Sequence, residues 1–151
     1  MRIAAGLLNN VSAAEDIVQD VFLTLIHSKH RYEIKKSLRG YLTSCVANKV
    51  RILYRTKSSQ NPVSLDDVEP AASNSKAPDQ CVICDEEFQH LYKAMTQLPY
   101  EQKEAVILHI QGKMKFREIA KLQGTSIKTT LSRYSYGLKK LRSILNSEVE
   151  K

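Results

Sequence analysis

The stretch Arg117–Arg133, "REIAKLQGTSIKTTLSR", restricts the fold more than any other part of this chain. Ile119, Ala120 and Leu122 fall on one apolar face of a helix. Gly124 interrupts that face, and Ser126 is suited to open a second helix. A helix, a short turn with glycine where positive φ is tolerated, and another helix make a helix-turn-helix pattern. A helix that enters a major groove needs small or polar side chains near its N-terminus and bases on its flanks. Ser126, Lys128, Thr129, Thr130, Ser132 and Arg133 meet that need, and the first backbone N–H groups can hold phosphate. Arg133 or Lys128 suits a guanine edge, and the threonine methyls or Leu131 suit thymine methyls. An ordinary helical hairpin with a solvated basic face fits the same residues.

Charge along the chain says more than its total. Of 151 residues, 23 are Lys or Arg and 16 Asp or Glu, a formal net charge of +7. Residues 1–57 hold 10 bases and 4 acids, residues 58–98 hold 2 and 7, and residues 99–151 hold 11 and 5. Two basic lobes flank an acidic connector, an arrangement suited to one extended anion contacted twice. The 42% apolar and 26% charged composition is that of a globular chain, with no apolar run long enough to span a bilayer. "MRIAAGLLNN" lacks a full apolar core and cleavage site, so it reads as the end of an amphipathic helix and not as a signal peptide. Three cysteines, Cys45, Cys81 and Cys84, suit a reducing compartment better than a disulfide framework. The expected location is cytoplasmic, with no membrane insertion.

Periodicity predicts helices throughout. In "AAEDIVQDVFLTLIH", residues 13–27, Ile17, Val18, Val21, Phe22 and Leu25 keep one face apolar, Ser12 is the expected N-cap and Glu15 its capping-box partner. Residues 28–36, "SKHRYEIKK", break the pattern and carry four Lys or Arg. A second helix is expected over 37–56, burying Leu38, Leu42, Cys45, Val46, Val50 and Leu53 and presenting Arg39, Lys49, Arg51 and Arg55. Residues 57–79 hold three of the four prolines and many small polar residues, and read as a flexible linker. Helices follow near 80–97, at 101–111 after Pro99, at 116–123 and at 126–146. With no strand pattern and no repeat, the fold class is all-α: two small helical domains joined by a flexible linker, the second a helix-turn-helix. The expected boundaries are 1–57, 58–79 and 80–151.

Enzyme chemistry has little to stand on. Cys81 and Cys84 have metal-ligand spacing, with His90 six residues on, but a closed zinc site needs four ligands and no second pair exists. The four histidines are scattered, and there is no phosphate-cradling glycine loop, zinc-protease helix or nucleophile elbow. No catalytic residue, metal ligand or cofactor is assigned.

"LPYEQKEAVILHIQGKMKFREIAKLQGTSIKTTLSRYSYGLKKLR" resembles region 4 of a bacterial RNA polymerase sigma factor of the extracytoplasmic-function (ECF) type. "AEDIVQDVFLTL" resembles that family's region 2 core-binding helix, and "SLRGYLTSCVANKVRILYR" the segment after it. The motifs run in the family's order over most of residues 7–145. The resemblance implies a subunit that attaches to the polymerase core at the β′ clamp and β flap, directs it to promoter DNA and helps open the duplex. An anti-sigma protein is a further partner it suggests.

Carried over residue by residue, Asp16, Gln19, Asp20 and Phe22 match the family's pattern ED-x-x-Q, then Glu or Asp, then x-F. Spacings of three and four put Asp16, Gln19 and Asp20 on one face, suited to a basic polymerase coiled coil, while Phe22 is expected in the core. The resemblance assigns His30, Arg31, Tyr32 and Lys35 to capture of a flipped minus-ten base, by stacking and backbone contacts. It assigns Asn48, Lys49, Arg51, Tyr54 and Arg55 to the upstream duplex or non-template strand. A half-buried helix-end aromatic describes Tyr54 equally well. Ser126, Lys128, Thr129, Ser132 and Arg133 are the minus-thirty-five candidates.

Three departures from the family stand out. A helix-length stretch normally precedes "LLNN", so the first domain is expected to be short at its N-terminus. Bases usually stand at the positions of Leu131 and Tyr136, so the recognition helix is less cationic than the family's. Leu131 also leaves the buried stripe open: Ile127, Leu131, Tyr134 and Leu138 fit one face, and Ile127, Thr130, Tyr134 and Gly137 fit the family's. Tyr41 stands where the family has a core tryptophan. Two other functions compete: a stand-alone helix-turn-helix regulator, and a protein-interaction adaptor derived from a sigma factor.

Overall fold

A computed structural model describes residues 2–28, 37–60 and 82–149, with the side chains of 58–60, 82–88 and 148–149 outside the description. Its elements are α1 Arg2–Leu8, α2 Val11–His27, α3 Leu38–Gln60, α4 Val82–Thr96, α5 Tyr100–Ile110, α6 Phe116–Gln123 and α7 Ile127–Val149. Among the described residues there is no strand. The expected flexible linker falls almost wholly outside them.

Local chemistry sets the helix ends. α2 starts two residues before its expected first residue and is capped by Asn10 in place of Ser12. Asn10 sits in extended backbone and its Oδ1 accepts from Ala13 N at 3.0 Å, the usual way to satisfy an orphan donor. Pro99 precedes α5, where its missing N–H costs nothing. α6 opens with the Lys115 N–H donating to Glu118 Oε2 at 3.0 Å. It ends at Gly124, φ 65° and ψ 35°, the left-handed conformation that a side chain would strain. Ser126 then caps α7: its Oγ accepts from Thr129 N at 3.0 Å.

The central fact of the architecture is α5. Six consecutive residues, Lys103 to Leu108, are buried, so this helix has no solvent face along its middle. α1 of the first lobe packs against it, as do α6 and α7 of the second. One apolar cluster joins Leu7, Ile17, Val21 and Val50 of the first lobe to Ile107 of α5. A second joins Ala47 to Leu108, Met114 and Ile119. A third, Ala94, Leu98, Val106 and Leu141, belongs to the second lobe alone. Each fully buried Leu or Ile contributes about 1.5–3 kcal/mol relative to exposure, so the two shared clusters hold the lobes together with the same force that holds each one. The sequence leaves the packing of the two lobes open; in the structure they share core.

Three expected core positions differ. Phe22 is 48% exposed and Leu38 49%, because the burial stripe of α2 runs through Ala14, Ile17 and Val21, and Leu38 is the first residue of its helix. Ile127 belonged to both stripes proposed for α7 and is exposed. The choice between those stripes goes to the family's: Thr130 and Gly137 are buried, while Leu131 and Leu138 are exposed. A Cβ on Gly137 would lie 3.0 Å from Val106 Cγ2, so the close approach of α7 to α5 leaves room for a side chain there only if Val106 shifts.

Candidate nucleic-acid and polymerase interface

The recognition end of α7 is built from its own hydroxyls. Ser126 Oγ lies 2.9 Å from Thr129 Oγ1, Thr130 Oγ1 donates to Ser126 O at 3.2 Å, and Ser132 Oγ donates to Lys128 O at 3.1 Å. Thr130 is fully buried and serves the turn. Ser126, Lys128, Thr129 and Ser132 remain exposed on one end of the helix. Arg133 is half-buried, and its NH1 donates to Gln123 Oε1 at 3.0 Å. Behind this face, His109, Phe116 and Tyr134 form an aromatic wedge. His109 stacks on Phe116 at 4.1 Å between centroids, and Tyr134 meets both edge-on. His109 Nδ1 donates to Met114 O at 2.9 Å, which fixes the ring. These contacts set the angle of α6 against α7, as a groove-entering helix requires.

Asp16, Gln19 and Asp20 are exposed on the side of α2 away from Ala14, Ile17 and Val21. Beside them Leu23 and Ile26 are also exposed, at 54% and 62%. An acidic and amide ridge bordered by apolar residues suits a partner that is basic and helical. Asp20 is also ion-paired with Lys49 of α3, so a residue from the polymerase set touches one from the minus-ten set.

Of the minus-ten candidates, His30, Arg31, Tyr32 and Lys35 lie outside the described residues. On α3, Asn48 and Arg55 are exposed and Lys49 pairs with Asp20. Arg51 faces the other way from a solvent-exposed DNA contact. Its NH2 donates to Glu104 Oε1 and Oε2, both at 2.7 Å, with side-chain exposures of 14% for Arg51 and 1% for Glu104. Tyr54 is half-buried and packs against Tyr100, the rings tilted by 31° with centroids 4.3 Å apart. Burial, then the Glu101 charge, raises its pKa. Burial and then the adjacent Glu104 raise that of Tyr100.

Sequence reasoning missed the α5 polar residues. Glu104 also accepts from Tyr100 OH at 3.2 Å and from Gln123 Nε2 at 3.0 Å, and Gln123 Nε2 contacts Glu101 O at 3.0 Å. Lys103 is 2% exposed, and burial pushes its pKa down to about 8. With the Asn9 amide turned to oppose it, Lys103 Nζ donates to Asn9 Oδ1 at 3.3 Å. A signal for Glu104 was present: it sits four residues after Tyr100 and four before Leu108, inside an apolar stripe, where a carboxylate must find partners. Among the described residues no group of three His, Cys, Asp or Glu is placed to hold a metal, and no helix is long and apolar enough to cross a membrane.

Comparison with known proteins fits this geometry. Residues 1–60 match the family described as Sigma-70 region 2, and residues 88–141 match Sigma-70, region 4. The chain is 32% identical over 142 residues to RNA polymerase sigma factor CarQ of Myxococcus xanthus, covering 93% of this chain and 79% of that protein. It is 26% identical to ECF RNA polymerase sigma factor EcfG of Rhodopseudomonas palustris, covering 94% and 76%. Its fold matches the sigma factor RpoE, solved in complex with the anti-sigma factor NepR from Bartonella quintana. The TM-score is 0.71 at 23% identity, over 96% of this chain and 88% of that one. The chain belongs to the RNA polymerase sigma factors of the extracytoplasmic-function type. It acts in transcription initiation, with RNA polymerase core and promoter DNA as its partners.

Proposed function

We propose that this sigma factor divides its work among three surfaces. Asp16, Gln19 and Asp20 bind the β′ clamp of the polymerase core. Ser126, Lys128, Thr129, Ser132 and Arg133 read the minus-thirty-five element, with the β flap held by the same lobe. His30, Arg31, Tyr32, Lys35, Asn48, Lys49, Arg51 and Arg55 engage the minus-ten element. Residues 1–57 form the first functional domain and 80–151 the second, with 58–79 as the tether. The protein works in the cytoplasm and itself changes no covalent bond.

The observation that carries this reading is the exposure of Asp16, Gln19 and Asp20 on a helix whose opposite face is packed through Ile17 and Val21. A self-sufficient DNA-binding regulator has no use for such a ridge. The test is a gel assay with and without core polymerase. Promoter-selective binding is expected only with core; selective binding by the free chain indicates a stand-alone regulator. Core binding without selectivity indicates an adaptor.

An anti-sigma protein is the third proposed partner. A groove of about 480 Å³ lies among α1, α4, α5 and α7, with Leu91, Tyr92, Ile110, Leu138, Leu145 and Arg142 among its walls. That shape and chemistry suit one face of an amphipathic acidic helix. The structural neighbour was itself solved with an anti-sigma factor.

A further inference from the structure

We propose that Glu104 is an internal stand-in for a nucleic-acid phosphate: in the closed chain it occupies Arg51 and withholds it from the minus-ten strand. The proposal rests on the reading above for the role of Arg51, and adds what holds that residue when no DNA is present.

The geometry carries the argument. Glu104 comes from α5 of the second lobe and Arg51 from α3 of the first, 53 residues apart. The guanidinium reaches both carboxylate oxygens at 2.7 Å, and the carboxylate is 1% exposed. One guanidinium nitrogen donating to two oxygens of an anion is a contact that a phosphate can accept as readily as a carboxylate, so Glu104 offers Arg51 similar chemistry. Glu104 is otherwise held by groups of its own lobe, Tyr100 OH and Gln123 Nε2. Those two contacts aim it, and Arg51 supplies the charge that justifies burying it. Two neighbouring contacts close the same seam: Arg39 NH2 donates to Gln111 O at 3.0 Å, and Tyr54 packs against Tyr100. The seam also reaches the recognition helix. Gln123, which touches Glu104 through Nε2, holds Arg133 through Oε1 at 3.0 Å. Arg51, Glu104, Gln123 and Arg133 are therefore one chain of polar contacts joining an arginine of each DNA-directed surface.

A closed chain of this kind has to exchange an internal anion for an external one. The free protein binds a strand weakly because Arg51 is already paired. Removing the Glu104 charge makes Arg51 available, and that gain is possible only where Arg51 is present.

The experiment measures binding of the full chain, without polymerase, to a fluorescent single-stranded DNA oligonucleotide, alongside its radius of gyration in solution. E104Q is expected to bind roughly tenfold more tightly, with a larger radius of gyration, and E104Q combined with R51Q to lose that gain. Y100F, which removes one of the contacts that aim Glu104 and leaves Arg51 intact, is expected to bind about threefold more tightly. It keeps the ring and decides the matter if E104Q does not fold by circular dichroism. An equal gain with and without Arg51, or no gain in Y100F when E104Q is unfolded, overturns the proposal. E104Q that enlarges the chain without gaining affinity removes the DNA role of Arg51 and overturns the gate through its premise, while the closed form stands. Unchanged size and unchanged affinity overturn the latch itself.

Discussion

α3 and α7 are helices of equal length, 23 residues each, and both carry a basic face. They spend that charge in opposite ways. On α3, Arg39 is taken by the Gln111 carbonyl, Lys49 by Asp20 and Arg51 by Glu104. On α7, Arg133 bonds the neutral amide of Gln123, while exposed Lys128, Lys139, Lys140 and Arg142 make no ion pair with described residues. Counting bases along the sequence rates the two faces alike. The difference lies in where the carboxylates are, and only the packed lobes reveal that. On the proposed reading, the bases of α7 face solvent as they stand, whereas Arg39, Lys49 and Arg51 of α3 must first give up internal partners.

The strongest way to break this contrast is to remove the anion. Glu104→Ala leaves a half-buried guanidinium without its partner and strips Tyr100 and Gln123 of an acceptor. Losing one member of a buried pair costs about 3–5 kcal/mol, read as a fall in the urea midpoint. A loss below about 1 kcal/mol would mean that Arg51 finds water easily, and the two helices would then be equivalent.

The second test acts on α5 through pH. Lys103 has a folded pKa of about 8 against 10.5 when unfolded, so between those values the unfolded chain holds the extra proton. Stability therefore rises with pH across that window, by roughly 3 kcal/mol for a shift of that size. Tyr100 has the opposite sign. Its folded pKa lies above the ordinary 10.0, so the unfolded chain ionises first and stability falls once pH passes 10. The expected profile peaks between pH 10.0 and pH 10.5, where these two windows cross. Lys103→Met should remove the rising limb and keep the falling one. A wild-type profile flat from pH 8 to pH 10 would show that the amine reaches solvent.

How much of this was legible beforehand differs by region for a physical reason. The α6–α7 unit was readable because its signals are local: the apolar face of "EIAKL", glycine at a left-handed turn, a serine cap. α6 has its expected bounds, and Gly124 its expected conformation. The start of α2 was misread because Asn10 and Ser12 are both good caps, and only the backbone at residue 10 distinguishes them. Phe22 was assigned to the core because helical spacing allows two adjacent stripes, and the neighbour that selects one lies far along the chain. Arg51 is the same failure in polar form. Its partner is 53 residues away, and nothing near it in sequence announces a carboxylate.

Arg133 sharpens the contrast from the α7 side. If it reads a base, Arg133→Ala costs about 1–3 kcal/mol in discrimination between the cognate promoter and a variant element, measured with holoenzyme. Equal loss on every sequence would reassign it to phosphate. Gln123→Leu should give a smaller, same-direction loss, because it frees the guanidinium without deleting it. The cap is a purely local control: Ser126→Ala should lower thermal stability by about 1 kcal/mol with no change at the lobe seam.

The smallest expected effect is the most discriminating. Lys49 and Asp20 are 36% and 56% exposed, so their pairing is worth less than about 1 kcal/mol to folding, and Asp20→Asn should barely move the unfolding midpoint. Its functional consequences should nevertheless be opposite on the two proposed partners. Losing a carboxylate weakens the α2 ridge toward polymerase core, an effect that Asp16→Lys with Asp20→Lys should enlarge. Freeing Lys49 gives α3 one more unpaired cation, which should strengthen binding of the free chain to single-stranded DNA. Core affinity down and strand affinity up from one surface change, at constant stability, is an outcome that general loosening cannot produce. If both affinities move the same way, Lys49 is not spent on Asp20, and the difference between α3 and α7 reduces to the single buried pair at Glu104.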